Sequence, residues 1–110
     1  MDHRLRRNNS FNYIYKKGER FHSDHFTLFV VKSRYNNYQI GFSISKKLGK
    51  ANKRNLLKRR MREITRIYIN IPSFYNYVVL AKEGATSLDF QVIKTELEKV
   101  FNKFESKKNS

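Results

Sequence analysis

Nine basic side chains stand between positions 46 and 62, namely Lys46, Lys47, Lys50, Lys53, Arg54, Lys58, Arg59, Arg60 and Arg62, with no acid among them. Cations at this density do one kind of chemistry well, which is to hold phosphate. Arg grips two oxygens through its planar fork, and Lys acts as a mobile point charge. Two features separate the run from an ordinary solvated helix face. An exposed helix gains from Glu–Lys pairs at i,i+4, and the run has no acid before Glu63. A helix N-terminus favours acids by roughly 0.3–1 kcal/mol each, yet Lys50, Lys53 and Arg54 fall there. A bound phosphate relieves both conflicts, because free N–H groups and cations meet it together. Asn55, neutral among cations, can donate and accept hydrogen bonds against a base or ribose. Gly49 and Ala51 leave the backbone open to close approach.

Other chemistries find less support. In FHSDH, Ser23, Asp24 and His25 are too close in sequence to fold into a catalytic triad, and on a strand His22 and His25 would point to opposite faces. No paired carboxylates stand out among the nine acids, and the absence of cysteine excludes disulfides and thiolate metal sites. No apolar run approaches the roughly 18 residues of a membrane span. An interfacial helix would give its apolar face to lipid, whereas the neighbouring elements need that face for a core. The start, MDHRLRRNNS, has the charge of a signal peptide without the apolar region that should follow. These features predict a soluble, cytoplasmic protein. A net charge of +15 on 110 residues points to a polyanionic partner and a single domain spanning 1–110.

The elements that must position the basic run follow from periodicity. Residues 1–7 read as a basic arm. Phe11, Ile14 and Tyr15 fall at i, i+3, i+4 on a short first helix, which Asn8, Asn9 or Ser10 would cap and Gly18 would end. Within Phe21–Lys32, Phe26, Leu28 and Val30 alternate with Thr27, Phe29 and Val31, giving a strand apolar on both faces. YQIGFSIS alternates more cleanly, with Gln39, Gly41, Ser43 and Ser45 as a conspicuously small second face, and the two strands read as a hairpin. The basic segment makes a second helix whose apolar arc holds Leu56, Leu57, Met61, Ile64, Ile67 and Tyr68, in a region closed by Pro72. YNYVVLAK is another strand. Phe90, Ile93, Leu97, Val100, Phe101 and Phe104 stripe a last helix, opened by a Thr86/Asp89 capping box, and 106–110 read as a disordered tail. The class is α+β, with the sheet covered mainly by the second and third helices.

The spaced motif Ala51-x-x-Arg54-Asn55-x-Leu57-Lys58-Arg59-x-Met61-Arg62, after SISKKLGK, resembles the signature of the bacterial ribonuclease P protein component. The likeness runs from LRRNNSF through GFSIS to the last helix, with Leu56 standing where that family carries the second Arg of its basic motif. The resemblance implies an αβββαβα two-layer sandwich (ribosomal S5 domain 2-like) with a left-handed βαβ crossover around the basic helix, against the general right-handed preference. It also implies a partner, the catalytic ribonuclease P RNA, which with Mg²⁺ removes the 5′ leader of precursor tRNA. The protein then supplies no catalytic residue and needs no obligate protein partner.

On that resemblance Lys46, Lys47, Lys50, Lys53, Arg54, Asn55, Lys58, Arg59 and Arg62 bind the RNA. A leader-binding cleft holds Phe11, Tyr15 and Phe29, with Arg6, Arg7, Lys16 and Lys17 near its phosphates. The competing reading from residues alone is a small ribosomal or other structured-RNA-binding protein without catalytic context.

Overall fold

Tyr77, Val78 and Val79 occupy three successive positions and all are fully buried. A strand that buries both faces needs neighbours above, below and on each side, and this requirement organises the fold. A computed structural model describes residues 8–108. They form α1 (Asn8–Lys17), β1 (Glu19–His22), β2 (Phe26–Lys32), β3 (Tyr38–Ser43), α2 (Ala51–Ile67), β4 (Tyr75–Ala81) and α3 (Phe90–Lys108), with short 3₁₀ turns at Lys46–Leu48 and Ala85–Ser87. The arm at 1–7, with Arg6 and Arg7, lies outside the described residues, as do 109–110. The helix continues through Ser106, Lys107 and Lys108, so that part of the expected tail is helical.

The sheet order is β1-β2-β4-β3. β4 pairs antiparallel with β2 and parallel with β3, while β1 pairs antiparallel with β2. The expected hairpin between β2 and β3 is therefore wrong, because β4 lies between them. The reason is compositional. β2 and β4 are apolar on both faces and take the centre, whereas β3, polar at Gln39 and Ser43, is left at an edge. The hairpin that does form joins β1 to β2 through a turn at 23–25. The parallel β3–β4 pair needs a crossover, and α2 is that crossover.

Phe26, Leu28, Val30, Ile40, Phe42, Tyr77 and Val79 face α2 and α3 in the main core. Phe29 and Val78 face the opposite way, where Ile14 of α1 closes a smaller cluster. α1 packs mainly on β2 and β4. Gly18 ends α1 by donating its N–H to the Ile14 carbonyl at 2.8 Å, and a Cβ there would lie 2.6 Å from that oxygen. On α2 the buried seam is Leu57, Met61, Ile64 and Thr65. Ile67 and Tyr68, expected on the apolar arc, are half exposed because the helix ends there, four residues ahead of Pro72. Thr65 tolerates burial because its hydroxyl donates to the Met61 carbonyl at 3.0 Å.

The expected capping box is shifted. Asp89 is itself the cap of α3, its carboxylate accepting the Val92 N–H at 2.9 Å, and Thr86 donates instead to the Leu48 carbonyl at 2.8 Å.

A carboxylate in α3 ties the β1–β2 turn to the helix. One Glu96 oxygen accepts the Ser23 hydroxyl and the His25 backbone N–H, each at 2.7 Å, and the other lies 2.6 Å from His25 Nδ1. Burial acts to raise the Glu96 carboxyl, but the hydrogen bonds from His25 and Ser23 outweigh it and hold it below its ordinary value. A depressed folded-state value gives stability that is present at neutral pH and lost as pH falls below the ordinary 4.5 through the folded value. Urea unfolding as a function of pH should therefore show a lower midpoint for Glu96→Gln than for wild type at pH 7, with a shallower acid decline. Equal acid slopes in the two proteins would remove Glu96 as the group responsible.

Candidate nucleic-acid interface

The basic helix begins on a turn fixed from three sides. Ser45 accepts the Lys47 N–H at 3.2 Å, Thr86 holds the Leu48 carbonyl, and Arg54 Nε donates to the Gly49 carbonyl at 3.0 Å. Gly49 has φ 142°, a region that side chains disfavour. Lys50 is the N-cap residue and makes no side-chain cap, and the first turn of α2 contains no acid. The first N–H groups of the helix are thus left for an anion, with cations on every side.

Lys46 and Lys47 are exposed on the 3₁₀ turn; Lys50, Lys53, Asn55, Lys58 and Arg59 are exposed on or beside α2; Arg54 and Arg62 are half-buried. At about 100° per residue, Arg54, Lys58 and Arg62 run along one edge of the helix, with Asn55 and Arg59 just outside them. Lys53 lies round the other side of the buried seam, so the nine predicted residues form a broad band rather than one row. Arg62 Nε is buried without a hydrogen-bond partner.

The Arg54 edge faces a groove of about 630 Å³. Arg54, Asn55 and Lys58 form one wall, Phe11, Asn12 and Tyr15 of α1 the other, and Phe42, Ser43 and Ile44 the floor. The groove exists because α1 covers β2 and β4 but leaves the small-faced edge strand open. No acid lines it. Arg54, Asn55 and Lys58 of the predicted basic set and Phe11 and Tyr15 of the predicted aromatic set are therefore opposite walls of one groove.

The three predicted aromatics play unequal parts. Phe11 and Tyr15 line the groove, their ring centroids 6.4 Å apart. Phe29 is only 6% exposed and supports Tyr15 from beneath, edge to face at 4.9 Å. Its burial places it in the small cluster rather than on an open surface. The Arg20 guanidinium lies 5.3 Å from the Phe29 ring and donates to the Tyr15 carbonyl at 3.4 Å. Arg20, Asn12 and Phe42 escaped the sequence reading. The first sits on a strand that periodicity did not separate, and the others become part of the groove only when β3 reaches the edge.

The ribonuclease P family profile matches residues 1–105. The chain belongs to the ribonuclease P protein family. It is 34% identical to the ribonuclease P protein component of Finegoldia magna over 106 residues, 96% of this chain and 93% of that one. With the component from Nitratiruptor it shares 35% over 104 residues, 94% of each chain. The RNase P protein of Staphylococcus aureus superposes with a TM-score of 0.85 at 29% identity, covering 93% of this chain and 94% of the other. That of Thermotoga maritima gives 0.77 at 30% identity, covering 86% and 90%. The α+β sandwich with a mixed four-stranded sheet is thus the fold of the family's solved members. As a ribonuclease P protein component, the chain is a subunit of the endoribonuclease that processes tRNA. No helix among the described residues is long and apolar enough to cross a membrane.

Proposed function

We propose that the chain binds the catalytic ribonuclease P RNA through the basic band of α2 and its preceding turn, and receives the 5′ leader of precursor tRNA in the adjoining groove. The observation that carries this reading is the groove itself. It sets an aromatic wall of Phe11 and Tyr15 against a cationic wall of Arg54 and Lys58. Single-stranded RNA needs both, since bases stack on rings whatever their sequence while the backbone follows positive charge. The protein's part is to position and to neutralise; the RNA, with its Mg²⁺, cuts the phosphodiester. Several acids of the chain are engaged structurally, Glu96 with Ser23 and His25 and Glu98 with Lys94. In the cell the complex works on precursor tRNA in the cytoplasm.

The test is cleavage of precursor tRNA by the cognate RNA at low, near-physiological Mg²⁺, with and without the protein. Strong stimulation is expected, with the protein alone inactive. Tight RNA binding without stimulation would replace this reading with that of a structural RNA-binding protein.

A further inference from the structure

Two large aromatic side chains stand out in water at the end of the sheet away from the start of α2. Tyr35 is 61% exposed and Phe74 48% exposed. Phe74 has φ 72°, a left-handed conformation unusual for a bulky side chain. Its backbone is held there by two hydrogen bonds to the β2–β3 connection: its N–H donates to the Asn37 carbonyl at 2.9 Å, and its carbonyl accepts the Ser33 N–H at 2.8 Å. Glycine would adopt this conformation without strain. The left-handed backbone at Phe74 thus costs strain that glycine would avoid, and strain kept at a half-exposed ring points to use.

The surroundings state what kind of use. The Arg34 guanidinium lies 5.4 Å from the Tyr35 ring. Lys32, Lys107 and Lys108 line a small cavity of about 220 Å³ at the same end of the sheet, with Tyr75 in its wall. Tyr75 follows Phe74 directly and pairs with Lys32. The acid in that cavity, Glu19, is already paired with Lys107. Glu105 lines a separate groove with Tyr68 and Asn70. A guanidinium over the exposed Tyr35 ring, a second exposed ring at Phe74, and Lys32 and Lys108 at the same end of the sheet match the two needs of a single strand, stacking for bases and charge for phosphates.

We infer that the Tyr35–Phe74 end is a second nucleic-acid contact, a stacking platform for a single-stranded RNA segment, remote from the α2 groove. The inference rests on the chain being an RNA-binding subunit, but it uses none of the residues of that groove.

The test is an amide NMR titration of the full chain with oligouridylate, a single strand without structure of its own. Amides of residues 33–37 and 74 are expected to shift, and so, separately, are those of Arg54 and Asn55. In an Arg54→Ala, Arg59→Ala background, adding Tyr35→Ala and Phe74→Gly should weaken the remaining oligouridylate binding about tenfold or more. Phe74→Gly alone should leave the thermal midpoint unchanged or raise it, since strain is relieved. Loss of binding with stability kept separates contact from folding. Shifts confined to α2 and α1, with affinity indifferent to Tyr35→Ala and Phe74→Gly, would overturn the inference and leave this end to a protein partner. Absence of shifts at Arg54 and Asn55 would instead count against the groove reading.

Discussion

Replacing Arg54 and Arg59 by Ala should weaken binding of the cognate ribonuclease P RNA about a hundredfold at roughly 0.1 M salt, since a hydrogen bond between charged groups contributes about 1.5–3 kcal/mol. The dependence of log affinity on log salt should become shallower by about two, because two fewer phosphates are neutralised. The two arginines differ in ways that a second variant exposes. Arg59 is exposed, whereas Arg54 also closes the turn through Gly49. Arg54→Lys keeps the charge and loses the Nε bond, so it should keep the salt slope while still losing affinity. Filter binding across a salt series reads both quantities. An unchanged slope in the double variant, with the thermal midpoint intact, would remove this edge of α2 from the interface.

Of the three aromatics assigned to the cleft, Phe11, Tyr15 and Phe29, truncation of Phe29 to Ala should be the most damaging to the fold. The ring is buried in a cluster with Ile14 and Val78 and holds Tyr15 from beneath. Truncating a buried Phe costs about 3–5 kcal/mol, which for a domain of this size lowers the melting midpoint by more than about 10 °C. Its effect on leader binding would then be indirect, through Tyr15.

Tyr15→Ala is the informative partner, because Tyr15 is half-buried and lines the groove. It should leave the midpoint within a few degrees. It should also weaken precursor tRNA relative to mature tRNA about tenfold in the reconstituted enzyme, the worth of one stacked base. Calorimetry and paired binding assays decide between the roles. A stable Phe29→Ala protein that loses only the precursor would make Phe29 a direct contact. Equal loss of both tRNAs on Tyr15→Ala would take the leader out of the groove.

Much of this was legible because the signals are local. The basic run without acids, the apolar seam through Leu57, Met61 and Ile64, the stripe of α3 and the small face of β3 all depend on periods of a few residues, and each fell where the sequence put it. The errors share a different cause. Pairing β2 with β3 assumed that neighbours in sequence are neighbours in the sheet. The long-range preference of two doubly apolar strands for the centre overrode that assumption. Phe29, which the resemblance places in the cleft, lies beneath α1 instead of open to it, and alternation could not reveal this because it says only which face a side chain takes, not whether a helix covers it. The Glu96 carboxylate was invisible for a similar reason, since its partners Ser23 and His25 lie more than 70 positions away.

By itself, then, the sequence determined that the chain carries one strongly cationic helix of the kind that suits a polyanionic partner. Charge and periodicity are properties of the chain that any fold must respect, and no folding removes nine cations from one stretch. Only the tertiary structure decided that α1 and α2 stand as opposite walls over an open edge strand, bringing Phe11 and Tyr15 across from Arg54 and Lys58. That juxtaposition depends on where β4 inserts, and strand order is settled by the burial of both faces of the sheet at once rather than by any residue's own preference.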